Sequence, residues 1–164
     1  MNENDAVNLL KKAKHIGVDV WIEGSWGVNA LVGRQTRPHN DIDIFIQKKD
    51  TEAFIEMLRS NGYRETKMEF TTDDHTVWSE AHDSTVDLHL FELAEAGTLC
   101  FENEIYPPDI FDGKGTIGEI TVRCLTAEAQ LLYHQGYEHD EKDIHDVLLL
   151  CDTFGLPIPE RYNT

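Results

Sequence analysis

Two segments of the chain alternate polar and apolar residues, which is the period of a β-strand with one buried face. They are DIDIFIQ at 41–47 and TVDLHLFEL at 85–93. Shorter runs bounded by turn residues predict further strands at 18–23, about 63–70 and 76–81, and a hairpin at 115–125. The stretch around Pro107-Pro108 is predicted to be irregular.

Apolar residues three and four apart predict helices between these strands. The expected helices lie at about 5–16, 24–33, 50–58, 126–135 and 140–154. Asn4 or Asp5 is expected to cap the first of them. This order of elements favours an α+β (mixed α/β) fold, a mixed sheet flanked by helices. We expect a single domain over 1–164, with a core sheet at about 18–93 and C-terminal helices at about 126–155.

The composition is that of an ordinary soluble domain. The chain has 164 residues and 40% of them are hydrophobic, which is enough for one core. No segment approaches the roughly 20 apolar residues that span a bilayer, and the start lacks the apolar core of a signal peptide. We therefore expect a cytoplasmic protein with no membrane partner. Cys100, Cys124 and Cys151 are widely spaced, which predicts reduced thiols.

The charge of the chain separates classes of partner. It carries 14 basic and 31 acidic residues, for a net charge of −17. A nucleic-acid binder needs a basic surface to neutralise phosphates, so DNA and RNA are not expected as partners. An acidic surface attracts metal ions and cationic small molecules by long-range steering. Solubility alone would also account for the charge.

The strand at 41–47 places two carboxylates together. Residues i and i+2 of a strand point the same way, so Asp41 and Asp43 share a face with Cα atoms about 6.6–6.8 Å apart. Ile42 and Ile44 alternate with them and are expected to face the core. The carboxylate pair can hold Mg²⁺ together with waters and substrate phosphates. The alternative is an ordinary solvent-facing side of an antiparallel strand.

A two-metal site needs a third carboxylate from another strand. Asp87, in the middle of the strand at 85–93, is the candidate, because an unpaired charge there would be costly to bury. His89 lies two residues further on and shares its face. His89 is either a competing general base or a structural, hydrogen-bonded histidine.

A candidate phosphate cradle precedes the first carboxylates. Gly24-Ser25 follows a predicted strand and opens a predicted helix. Backbone N–H groups at a helix N-terminus, aided by the Ser25 hydroxyl, bind phosphate oxygens. Strand, Gly-Ser, helix, loop and Asp-Ile-Asp strand together indicate a triphosphate site beside its metal.

These residues resemble the signature of the DNA-polymerase-β-like nucleotidyltransferase superfamily, in which Gly-Gly or Gly-Ser precedes an Asp-x-Asp strand and a later Asp. WIEGSWGVNALVGRQTRPHNDIDI, at 21–44, closely resembles the opening of the small lincosamide nucleotidyltransferases. The resemblance to aminoglycoside 2''-nucleotidyltransferases is looser. VDLHLF and LTAEAQLLYHQGYEHDEKDIHD also resemble the lincosamide group, whereas about 92–115 matches poorly.

The resemblance implies a nucleotidyltransferase fold, Mg²⁺ as cofactor, with two ions expected, and ATP or another NTP as donor. It implies transfer of AMP onto a hydroxyl of a lincosamide such as lincomycin or clindamycin, with release of pyrophosphate. The drug would be a small cationic partner inactivated by the reaction. A homodimer with substrate near the subunit boundary is also implied.

Roles follow for the named residues. Asp41 and Asp43 are expected to hold the metal. Asp87 is expected to complete the metal site or to accept the hydroxyl proton, with His89 as the rival catalytic base. The nucleotide would contact five residues, some of which have ordinary loop or surface roles as alternatives: Gly24, Ser25, Arg37, His39 and Lys142.

Other positions have weaker signals. Tyr106, Phe111, Tyr133 and Tyr137 are candidates for an acceptor-binding pocket, and core packing is the alternative for each. Lys142 shares a polar helix face with Asp143 and Asp146, which we expect to lie in solvent.

Two other functions compete with the lincosamide enzyme. An aminoglycoside acceptor, with several positive charges, would also suit the acidic chain. A catalytically silent module that binds a partner protein would use the same fold. Retention of all three carboxylates favours an enzyme.

Overall fold

The alternating segments of the sequence form the centre of one mixed β-sheet. The structure is a computed structural model that describes residues 1–81, 84–94, 97–135 and 140–162. The strands of the described chain are Trp21–Glu23 (β1), Asp41–Gln47 (β2), Arg64–Thr66 (β3), His75–Ser79 (β4), Thr85–Leu93 (β5), Leu99–Phe101 (β6), Glu104–Tyr106 (β7), Gly113–Ile117 (β8) and Ile120–Cys124 (β9). Its α-helices are Glu3–His15 (α1), Gly24–Val32 (α2), Thr51–Ser60 (α3), Ala127–Tyr133 (α4) and Glu141–Phe154 (α5).

The strand order places β2 and β5 side by side near the middle of the sheet. The order is β3-β4-β5-β2-β1-β9-β8, and β6 extends the far end of β5 and pairs with β7. The β2–β5 and β1–β9 pairs are parallel, and the other pairs are antiparallel. The α+β class with a mixed sheet is therefore confirmed.

The core fixes which way the central strands face. Ile42, Ile44 and Ile46 of β2 are fully buried, as the alternation predicts for the first two. Val86 and Leu88 of β5 are also fully buried on this side. Each such side chain contributes about 1.5–3 kcal/mol when it leaves water. A one-residue slip would expose the whole set, so the polar residues between them are held on the opposite face.

Short elements differ most from the sequence prediction. Helix α1 begins two residues early, because Asn2 is its N-cap and forms a capping box with Asp5. The strand expected at 63–70 shortens to Arg64–Thr66, and the one at 18–23 to Trp21–Glu23. The hairpin of β6 and β7 was not predicted, because strands of three residues contain too little alternation to recognise.

None of the helices in the described residues is both long and apolar enough to cross a bilayer.

Helix α2 packs closely on β8 through a glycine. A Cβ added at Gly115 would lie 2.0 Å from the carbonyl oxygen of Ala30. Because the clash is with backbone, Gly115→Ala is expected to lower the free energy of unfolding by at least about 1–3 kcal/mol. Urea denaturation measures this. The matched control is Thr116→Ala, an exposed neighbour on the same strand. Equal unfolding free energies for the two variants would contradict the packing.

Candidate active site

Three carboxylates form a row across adjacent strands. The strand registers pair Glu23 of β1 with Asp43 of β2, and Asp43 with Asp87 of β5. Neighbouring strands lie about 4.7–4.9 Å apart, so the three side chains are close neighbours on one face. Asp41 stands two residues before Asp43 on the same face and is exposed. We call these four residues the carboxylate row.

The row concentrates negative charge where solvent is limited. Burial raises the pKa of Asp43 well above its usual range, and the charges of Glu23, Asp41 and Asp87 raise it further. Burial also raises the pKa of Glu23. Like charges held this close favour a bound cation or a shared proton. A set of carboxylate oxygens drawn from three strands fits a hard divalent ion such as Mg²⁺.

Gly24 allows the row to touch the start of α2. Its φ of +61° is in the left-handed region that favours glycine. A Cβ at Gly24 would lie only 2.2 Å from Oδ2 of Asp43. The glycine of the Gly24-Ser25 pair is therefore required for two reasons, the turn out of β1 and the approach of the Asp43 carboxylate. The candidate metal ligand and the candidate phosphate cradle are therefore in direct contact.

Arg37 ties the loop before β2 to this cradle. Its guanidinium donates to the Ser25 hydroxyl and to both carboxylate oxygens of Asp146, with N–O distances of 2.6 and 3.2 Å. Asp146 lies on α5 and is fully buried. The solvent-facing position expected for Asp146 is wrong, because this carboxylate forms a buried ion pair with Arg37.

His39 packs behind Arg37. Its Nδ1 lies 3.2 Å from the Arg37 guanidinium, and its Nε2 contacts the Asn29 side chain. The ring also packs on Trp26, with centroids 4.7 Å apart. Burial, reinforced by the charge of Arg37, lowers the pKa of His39 to about 4. His39 is therefore neutral at pH 7 and supports the loop from beneath.

Two histidines flank the far end of the row. The β4–β5 register places His75 opposite His89, and Nε2 of His75 donates to Oδ1 of Asp87 at 2.6 Å. Nε2 of His89 lies 3.8 Å from the same oxygen. Burial lowers the pKa of His89 to about 4. Although burial acts to lower it, the hydrogen bond to Asp87 raises the pKa of His75 overall.

A cleft of about 880 Å³ opens over these residues. The cleft is lined by the carboxylate row, by His75 and His89 beside Asp87, and by the Gly24-Ser25 cradle. The predicted nucleotide-binding residues Gly24, Ser25, Arg37, His39 and Lys142 all line it. Five aromatic residues also line the cleft: Phe45, Phe70, Phe101, Tyr106 and Tyr133.

The structure separates the predicted acceptor residues. Tyr106 and Tyr133 line the cleft. Phe111 does not, because it stacks on Trp21 with ring centroids 5.2 Å apart and packs on Phe91 at 4.8 Å. It lines a separate, smaller cleft of about 410 Å³ instead. Tyr137 falls outside the described residues.

Sequence reasoning missed three residues of the site. Glu23 had a readable signal, because it ends a strand directly before Gly24. His75 had none, since its contact with Asp87 depends on the register of two antiparallel strands. The sequence around Asp146 does not indicate a buried ion pair, because its partner Arg37 lies 109 positions earlier in the chain.

The chain is similar to known antibiotic-modifying enzymes over most of its length. The family model described as aminoglycoside-2''-adenylyltransferase matches residues 6–150. A lincosamide resistance protein of Staphylococcus haemolyticus is 28% identical over 158 residues, which is 90% of this chain and 92% of the relative. A 2''-aminoglycoside nucleotidyltransferase of Escherichia coli is 28% identical over 166 residues, covering 90% and 84%. The crystal structure of the lincosamide antibiotic adenylyltransferase LnuA with lincomycin bound has a TM-score of 0.82 at 28% identity, and the match covers 92% of this chain and 96% of that one.

Gly24→Ala is expected to push the Asp43 carboxylate out of the row. Displacing a group that orients a metal ligand weakens metal affinity by about 10–100-fold. Mg²⁺ binding followed by isothermal titration calorimetry measures the loss. Gly17→Ala is the matched control, because Gly17 also has a positive φ but has nothing within 4 Å of an added Cβ. Unchanged Mg²⁺ affinity in Gly24→Ala would contradict the contact.

Asp146→Ala is expected to leave Arg37 without its buried partner. Breaking such a pair from one side lowers the free energy of unfolding by about 3–5 kcal/mol. Urea denaturation measures the change. Asp152→Ala, at an exposed position of the same helix, should behave like the unaltered protein. A loss as small as that of the control would show that the ion pair does not hold α5 to the loop.

Proposed function

The chain belongs to the aminoglycoside-2''-adenylyltransferase family, and on that premise we propose that it transfers AMP from ATP to a hydroxyl of a lincosamide antibiotic. The hydroxyl oxygen forms a bond to the α-phosphorus, the bond from that phosphorus to the bridging oxygen breaks, and pyrophosphate leaves. The carboxylate row beside the Gly24-Ser25 cradle is the observation that carries the proposal.

Asp41, Asp43 and Asp87 are the residues that would hold Mg²⁺. When bound there, the ion neutralises phosphate charge and steadies the attacking and leaving oxygens. The binding of two ions rather than one remains a prediction. So do the choice of ATP over another NTP as donor, a homodimer and a cytoplasmic location.

The chain's own residues position the triphosphate. The Ser25 hydroxyl and the N-terminal amides of α2 donate to phosphate oxygens. Arg37, fixed by Asp146, and Lys142 of α5 bring positive charge to the same end of the cleft. Such catalysis rests mainly on positioning and charge neutralisation.

The hydroxyl proton goes to a carboxylate of the row rather than to His89. Both ring nitrogens of His89 are buried, so an acceptor hydroxyl has little access to them. Glu23 and Asp87 are partly exposed and line the cleft beside Asp43.

Two observations favour a lincosamide acceptor: the similarity to known relatives and the aromatic residues that line the cleft. The lincosamide resistance protein matches over 92% of its length, against 84% for the aminoglycoside enzyme. Phe101, Tyr106 and Tyr133 offer an apolar surface of the kind that suits a monocation with an apolar tail. An aminoglycoside is the second candidate, supported by the Escherichia coli relative and by Glu102 in the cleft wall.

Pyrophosphate release from Mg²⁺-ATP tests the reaction. Release is expected with lincomycin or clindamycin and not with kanamycin or without acceptor. Asp41→Asn and Asp43→Asn are each expected to lower the rate at least about a hundredfold while the fold stays intact. Asp152→Asn, at an exposed position of α5, is the control. Release only with kanamycin would move the protein to aminoglycosides, and no release with any acceptor or NTP would favour a silent module.

A further inference from the structure

His89 has an unusual position for a polar side chain. It is 9% exposed, and neither ring nitrogen has a hydrogen-bond partner among the described residues. Phe45 stacks on its ring with centroids 4.7 Å apart, and Phe101 packs against it edge-on at 5.4 Å. A buried imidazole without a partner loses the hydrogen bonds that it made to water. Its Nε2 instead lies 3.8 Å from Oδ1 of Asp87.

His75 approaches the same oxygen from β4. Its Nε2 lies 2.6 Å from Oδ1 of Asp87, and its ring centroid is 4.3 Å from that of His89. One ligand atom from each of His75, Asp87 and His89 lies within 4.8 Å of the other two. We propose that this triad is a cation site for a divalent transition ion such as Mn²⁺, Co²⁺ or Zn²⁺.

The donor atoms distinguish this site from the other end of the row. Two imidazoles and one carboxylate suit divalent transition metals, with positions left open for other ligands. Mg²⁺ prefers oxygen ligands, which Asp41 and Asp43 supply. The protein then has two chemically different cation positions, and Asp87 lies between them. Bound at the triad, the ion takes the place of the proton that His75 shares with Asp87.

Because the triad is largely buried, its three ligands are held in place before an ion binds. The side chains of His75, Asp87 and His89 are 18%, 22% and 11% exposed. The aromatic rings of Phe45 and Phe101 restrict how far His89 moves. A ligand set that is already assembled requires little ordering when the ion binds. His75 and Asp87 line the cleft and are partly exposed, so an ion reaches the triad from their side.

The test is spectroscopic and uses the full chain without nucleotide or acceptor, so its failure would leave the proposed reaction standing. Mn²⁺ is added at one equivalent in excess Mg²⁺, and electron spin echo modulation from ¹⁴N is recorded. Nitrogen coupling is expected in the unaltered protein. His75→Gln should lose one of the two coupled nitrogens, the double variant His75→Gln/His89→Asn should lose the coupling altogether, and Mn²⁺ affinity should fall at least about tenfold in each.

The matched control is His15→Gln, at an exposed histidine at the end of α1. It should keep both the coupling and the affinity. His89→Asn should likewise lose one coupled nitrogen, and circular dichroism checks that each variant is folded. Absence of ¹⁴N coupling in the unaltered protein, or its persistence in the folded double variant, would overturn the proposal.

Discussion

The carboxylate row is the constraint on which the rest of the site depends. Strand pairing places Glu23, Asp43 and Asp87 side by side, and their mutual repulsion opposes this arrangement. The opposite face of the same strands provides the compensating free energy, because Ile42, Ile44 and their neighbours are completely buried there. The register that buries the isoleucines is the register that gathers the carboxylates. Core packing on one face of the sheet therefore determines which residues meet in the site on the other face.

The surroundings of the row are built to accept charge of both signs. Gly24 brings the start of α2 against Asp43, so that an anion and a cation can bind next to each other. Arg37 is fixed by the buried Asp146 and adds a cationic group at the cradle. Elsewhere, the described lining of the cleft has more carboxylates than cationic side chains. That balance suits a metal-bound triphosphate on one side and a cationic acceptor on the other.

The sequence predicted the parts of the site that depend on local pattern. Asp41, Asp43 and Asp87 followed from strand period, and Gly24-Ser25 from the order of strand and helix. The remaining parts depend on how distant segments pair. His75 reaches Asp87 through an antiparallel register, and Asp146 meets Arg37 from a helix near the end of the chain. Phe111 was misplaced for a related reason, since aromatic residues pack in cores as readily as they line pockets.

The most direct test of this account is a crystal structure with Mn²⁺ and a non-hydrolysable ATP analogue, with Mn²⁺ located by anomalous scattering. The account predicts anomalous density in contact with carboxylate oxygens of Asp41 and Asp43, and phosphates against Ser25 and Arg37. Nucleotide bound elsewhere, for instance in the cleft beside Trp21 and Phe111, with no metal at Asp41 and Asp43, would contradict it.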